Sequence, residues 1–364
     1  MDDDDSARQD ACLRGKWERL LKDRNPVFDI AKALMMLWVV WGHCALYKVV
    51  EPVSSQYMLN AKIGVNMPVF FVIGGYLAYS TFMTADWSKL IARSVMFLWP
   101  QFAVATVYGS VIALLGGNGA FSWVMGMWFL KTYAVVYILS ALVFRLVDTD
   151  KKRLLIFIVC YAAMLFWPCR FRISWFGQVI HMFPYFVFGL MCLRKKIAYR
   201  DWRIACLCGA VFLIAVFAQG DSSANGMNFW KVNAYWKVVF FSWHECFTFF
   251  ARTAVGISGS VFLLFVIDIL LRIAPSLSKL STFGMTTLGV YVIHEYPLCL
   301  LGRSNSIFPL PMWTHWFVAI AIFFAVHFVV RALMRYRFSK TLFLGDETLL
   351  ADVLRRTASL CSVK

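Results

Sequence analysis

Charge is scarce in this sequence. Only 15% of its 364 residues are Asp, Glu, Lys or Arg, against about 25% in soluble domains, and 61% are hydrophobic against about 45–50%. Mean hydropathy is +0.67. Such a composition excludes a soluble enzyme, a disordered chain and a fibrous one. Polar stretches long enough to hold a separate globular domain are missing as well. The ten cysteines contain no Cys-x-x-Cys pair and no metal-ligand spacing, so they read as small buried apolar residues, and no metal is expected. The charged opening, MDDDDSARQDACLRGKWERLLKDRNP, does not have the form of a signal peptide; its basic part suggests a short surface helix around Trp17, Leu20 and Leu21. No P-loop and no Gly-x-Ser-x-Gly elbow occurs. His244-Glu245 begins like a zinc-protease motif, but the fourth residue after His244 is Thr248, so the paired histidine is missing. No repeat with a convincing period is present, which counts against the repeated halves common in secondary transporters.

What the sequence does have is long apolar runs. Ten spans are expected, at about 27–48, 63–84, 94–115, 124–144, 154–168, 178–193, 204–219, 252–271, 280–300 and 313–334; most are near the ~20 residues needed to cross a ~30 Å hydrocarbon core, and the fifth, sixth and seventh are short for it. The fold class that follows is all-α: a polytopic membrane helical bundle of about ten transmembrane helices. The net charge of +16 does not point to nucleic acid, because the basic residues cluster between apolar runs. With the N-terminus inside, 26 of the 36 Lys and Arg fall in inner segments and seven in outer ones, so both termini are expected in the cytoplasm. The domain reading is a cytoplasmic arm at 1–26, a membrane domain at 27–336 and a cytoplasmic tail at 337–364, in the inner (plasma) membrane. The largest outer loop, 220–236, is polar with interleaved aromatics, suited to lipid headgroups or to stacking on a sugar. Residues 238–250 are apolar but too few to cross, which suggests a re-entrant or interfacial segment before the eighth span.

Ionisable side chains at membrane depth cost a few kcal/mol each and therefore need a reason. In the first span, Lys32 and His43 are eleven residues apart, about three turns, so they share a face with a rise of about 16 Å. Asp29 lies one turn below Lys32 and can pair with it. The plain alternative is a snorkelling lysine and a histidine that hydrogen-bonds a neighbouring helix. The third span carries Lys89 and Arg93 at its inner end, followed by Pro100. The fourth includes Trp128-Phe-Leu130 and then Lys131, and the ninth places Tyr291 and His294 one turn apart, before Glu295. His181 and His315 sit near outer ends, where solvent contact is expected; His327 reads as a helix-packing residue.

These motifs, in this order, resemble acyltransferase family 3, the integral-membrane acyltransferases that decorate envelope polysaccharides and antibiotics. The residues concerned are Asp29-x-x-Lys32-x10-His43, Pro68-Val-Phe-Phe-Val-Ile-Gly-Gly-Tyr76, Arg93 with Pro100, Trp128-Phe-Leu130 and Tyr291-x-x-His294. The resemblance covers roughly residues 25–336. It implies a bundle of about ten helices and acyl transfer from acyl-CoA to an acceptor hydroxyl. The family's Arg-x10-His pattern falls on Lys32 and His43, with lysine in place of arginine. Its Arg-x-x-Arg is half kept, with Met96 at the second position.

Both readings lead to one expected mechanism. His43 is the catalytic general base, taking the proton of a hydroxyl as it attacks the thioester. Lys32, paired with Asp29, and Arg93 hold the donor's phosphates; the acceptor enters near Tyr291, His294 and the 220–250 segment, and Trp128 is a further substrate-binding residue. The expected partners are acyl-CoA as donor substrate, a carbohydrate or glycolipid acceptor and the lipid bilayer, with no separate cofactor. The rival is a proton-coupled transporter or flippase using His43, Lys32 and Lys131 as a relay.

Overall fold

The computed structural model describes residues 24–51, 56–85, 87–114, 128–166, 176–193, 199–219, 243–302, 309–336 and 339. The surface helix expected around Trp17 and the outer loop 220–236 lie outside these residues, as does the tail beyond 339. Among the described residues the chain is helical, with one isolated parallel β-bridge, Val50 to Leu310. The helices are α1 Pro26–Leu46, α2 Gln56–Thr84, α3 Trp87–Leu114, α4 Trp128–Leu146, α5 Asp150–Phe166, α6 Phe176–Met191, α7 Trp202–Gln219, α8 Trp243–Ile273, α9 Ser281–Gly284, α10 Thr287–Ile293, α11 Glu295–Gly302 and α12 His315–Leu333.

Six of these segments are long and apolar enough to cross a membrane: Pro26–Leu46, Gly64–Thr84, Trp87–Ser110, Trp128–Leu146, Phe249–Ile273 and Met312–Leu333. Their outward faces are apolar. On α12, Trp316, Phe317, Ile320, Phe324 and Phe328 are exposed at roughly one-turn spacing, a stripe that water would penalise and lipid accepts.

Two expected spans differ from continuous crossings. The ninth, 280–300, is broken into a 3₁₀ turn Pro275–Leu280 followed by α9, α10 and α11. Pro297 explains the last break, since it has no N–H to give to the carbonyl four residues back and its ring crowds that turn. The apolar stretch before the eighth span is not a separate element over its described part: residues 243–250 run unbroken into α8, which has 31 residues. Arg252, just past that stretch, is buried inside the bundle, 6% exposed.

α1 is the hub. Asn25 caps it, its side-chain oxygen accepting from the Val27 amide at 3.0 Å, and Pro26 supplies a first-turn residue that needs no donor. Twelve of its positions are buried around most of its circumference, the pattern of a helix surrounded by others. It packs against α2, α8, α9, α10, α11 and α12. The far end of α1 is closed by a Schellman motif: Val49 N donates to Cys44 O at 2.9 Å and Lys48 N to Ala45 O at 3.1 Å, with Lys48 in the left-handed region at φ 58°. The chain then bonds Leu310, which donates to Val49 O at 3.0 Å and accepts from Glu51 N at 3.0 Å. This stitching ties the end of α1 that carries His43 to the segment leading into α12.

α2 packs most closely on α6. Gly75 and Gly189 make this possible: a methyl on Gly75 would strike the backbone of Phe186, and one on Gly189 the backbone of Val72.

Candidate active site

Three features of the fold converge on the two ends of α1. Near its start, Asp29 is 3% exposed at the side chain and binds two cations. Lys32 Nζ lies 2.6 Å from Oδ1, while Arg24 reaches both carboxylate oxygens, Nε to Oδ2 at 2.9 Å and Nη2 to Oδ1 at 3.0 Å. The Asp29–Lys32 pair is the one expected from their spacing on the helix. Arg24 is an addition that sequence reasoning counted only as one more basic residue of the N-terminal arm. Gly284 of α9 touches the Asp29 backbone so closely that a Cβ would collide with its carbonyl, so α9 walls this corner.

A cavity of about 270 Å³ opens beside these groups. Arg24 and Lys32 line one part of it; apart from Thr287 the rest is apolar or aromatic, including Met36, Phe70, Phe97, Phe129 and Tyr291. Trp128 stands at the start of α4 next to Phe129, their rings 6.3 Å apart, and Phe129 rather than Trp128 is a wall residue. Arg93 is not a wall residue either. It donates to Thr81 Oγ1 at 3.1 Å, and its charge lies near the hydroxyl of Tyr133, which is part of the wall. The structure therefore brings Lys32 together with Arg24 at the cavity, and sets Arg93 one residue behind it.

At the other end of α1, His43 turns into the bundle. Its Nδ1 lies 2.8 Å from Nε2 of His294, within hydrogen-bond range, and the two ring planes differ by 3°. His294 is fully buried. Its Nδ1 faces two carbonyl oxygens, Val290 O and Tyr291 O, each at 2.9 Å. Carbonyls only accept, so His294 Nδ1 carries the hydrogen and the Nε2 of the neutral ring is a bare acceptor. His43 Nδ1 must then donate to it, which leaves the lone pair of His43 on Nε2. Two buried carbonyls thus fix the tautomer of a ring on another helix.

Glu295 completes the cluster. Its Oε1 is 3.6 Å from His43 Nδ1, too far for a hydrogen bond. Its Oε2 accepts from Tyr47 Oη at 3.3 Å. His43, His294 and Glu295 could present donors to one metal ion, their ligand atoms lying within 4.8 Å of one another. The 2.8 Å separation of the two nitrogens is shorter than the roughly 3.3 Å between two imidazole nitrogens on a tetrahedral zinc, so this geometry holds a proton. Tyr291 links cluster and cavity: it lines the cavity, precedes His294 by one turn and accepts from the Phe129 amide at 3.4 Å.

Of the expected site residues, Asp29 and Lys32 share one locus, His43 and His294 another, and Tyr291 joins the two. His315 and His181 depart from the solvent contact expected of them. His315 is 3% exposed, stacks on Trp41 with centroids 4.5 Å apart and donates through Nε2 to Trp41 O at 2.6 Å, bracing α1 two residues before His43. His181 is also buried, 3.5 Å from the Tyr185 hydroxyl. His327 does pack between helices, its Nδ1 2.8 Å from Thr286 Oγ1.

The comparison with known families decides what this arrangement belongs to. The acyltransferase domain of acyltransferase family 3 matches residues 25–332. The chain is a member of that family. A curated relative, the nodulation protein NolL of Sinorhizobium fredii (strain NBRC 101917 / NGR234), is 24% identical over 222 residues, covering 54% of this chain. The chain spans 59% of the length of that relative. No solved structure matches it. The family match includes both loci of the site, from Asp29 to Glu295, and begins one residue after Arg24.

Proposed function

We propose that this acyltransferase moves an acyl group, in the simplest case acetyl, from cytoplasmic acyl-CoA to a hydroxyl of an envelope carbohydrate or related glycolipid. In this reading the chain crosses the inner membrane about ten times with both termini in the cytoplasm. The observation that carries the proposal is the His43–His294 pair: a base whose lone pair is set on Nε2 by a second ring, inside an apolar bundle. His43 Nε2 takes the proton of the acceptor hydroxyl as its oxygen attacks the thioester carbonyl. The C–S bond then breaks, and CoA leaves as a thiolate that recovers the proton from the imidazolium. While His43 is charged, Glu295 stabilises it from 3.6 Å.

The donor side rests on the cation-rimmed cavity. Lys32 holds a phosphate of the donor, and the thin pantetheine arm lies along the apolar wall toward Tyr291. The acceptor approaches from the opposite face, where His43, His294 and Tyr291 lie; Trp128 and Arg93 back the cavity. A proton-coupled transporter is the competing reading, supported by the chain of proton-bearing groups Tyr47, Glu295, His43 and His294. The two differ in what they consume. Purified full-length protein in lipid nanodiscs, given acetyl-CoA and a total envelope glycan fraction, should release free CoA and acetylate the glycan. Transport of substrate with no CoA release would favour the rival.

A further inference from the structure

The family's Arg-x-x-Arg pair is half missing, with Met96 at the second position, and Arg93 does not line the cavity. A cation of another origin does. We propose that Arg24 is a donor-binding residue: with Lys32 it forms an anion site that takes the phosphate groups of an acyl-CoA-type thioester. The inference rests on the acyl-CoA reading above and extends it to a residue that lies outside the family match.

Three observations carry it. Arg24 and Lys32 both line the same cavity and are its only charged wall residues among the described residues, the remainder being mostly apolar or aromatic with Thr287; a headgroup that is anionic and an arm that is not would fit those two parts. Asp29 holds the two cations side by side, in contact with the same carboxylate oxygen, Oδ1, at 3.0 and 2.6 Å. One buried carboxylate between two cations leaves a net positive charge, and it offsets the repulsion that would otherwise drive them apart. Finally, the bidentate contact with Asp29 uses Nε and Nη2 of Arg24, and the side chain is still 41% exposed, within reach of an incoming ligand. A basic residue that merely anchors a helix at the membrane surface needs neither a buried carboxylate nor a place in a cavity wall. The arginine is also held in place from behind: the adjacent Asn25 caps α1 and donates through Nδ2 to Tyr199 Oη at 3.3 Å.

The test is equilibrium binding of CoA and of pantetheine, which has the arm without the phosphates, to the full-length protein in nanodiscs. Wild type, Arg24→Ala, Arg24→Gln and Arg24→Lys are compared. We expect wild type to bind CoA more tightly than pantetheine. Arg24→Ala should weaken CoA binding about tenfold or more while changing pantetheine binding less than twofold. Arg24→Lys should recover part of the preference; Arg24→Gln, which still hydrogen-bonds Asp29, gives the same reading as alanine if the alanine variant fails to fold. A folded variant that keeps the wild-type CoA-to-pantetheine ratio, or that loses both ligands equally, overturns the role of Arg24 and leaves the acyltransferase reading standing. A wild-type protein that binds no CoA overturns both.

Discussion

His294 gives the sharpest mutational test, because two conservative replacements separate its two hydrogen bonds. Asparagine places its amide near the position of Nδ1 and keeps a donor for the Val290 and Tyr291 carbonyls, but offers nothing to His43. Glutamine places its amide where Nε2 now lies, 2.8 Å from His43 Nδ1, with a carbonyl oxygen able to accept. If His294 works by fixing the tautomer and angle of His43, His294→Asn loses that control although the protein stays folded. A hydrogen bond nets about 1 kcal/mol, and misplacing a reacting group by about 1 Å costs about 10²-fold. The expected fall in kcat for asparagine is therefore roughly 10- to 100-fold, with glutamine within roughly tenfold of wild type. KM for acyl-CoA should move little in either, since Lys32 lies about 16 Å away along α1. The assay is CoA release at saturating acceptor, with thermal unfolding in detergent as the check on folding. Equal losses in both variants, or full activity in His294→Asn, would refute the tautomer argument.

Other consequences are simpler to read. Gly284→Ala drives a methyl into the Asp29 carbonyl and should destabilise the protein by about 1–3 kcal/mol, seen as a lower midpoint of thermal unfolding. Asp29→Asn leaves Lys32 and Arg24 facing each other without their shared carboxylate; the loss is expected at about 1–3 kcal/mol, below the roughly 3–5 of a fully buried pair because Arg24 is partly exposed. Lys32→Arg keeps charge and should hold KM for acyl-CoA near wild type, whereas Lys32→Ala should raise KM about tenfold or more with a smaller change in kcat.

How far the sequence anticipated this site depends on sequence distance. The Asp29–Lys32 pair follows from one helical turn, and the inward direction of His43 follows from sharing a face with Lys32 at eleven residues' spacing. Its partnership with His294 spans 251 positions; the Tyr-x-x-His motif marked His294, but nothing local could show which helix it would meet. Arg24 was hidden for the opposite reason. In a segment crowded with basic residues one arginine looks like any other, and only the carboxylate of Asp29 distinguishes it. The break in the ninth span and the unbroken course of α8 escape a reading by apolar runs alone, which treats each run as a rod and a thirteen-residue run as too short to belong to one. Pro297 breaks the first, and the 31-residue α8 takes in the described part of the second. His181 and His315 were read as solvent-facing from their place near span ends, while neighbours on other helices bury them.

The claim most exposed to test is that His43 removes the acceptor's proton. Acetyl-CoA-dependent transfer should be measured with purified wild-type and His43→Ala protein in nanodiscs, matched for amount and for insertion. Loss of the base is predicted to lower kcat by about 10²- to 10⁴-fold, with CoA binding kept, because the Lys32 end of α1 is untouched. Transfer at close to the wild-type rate in the folded His43→Ala protein would contradict the account.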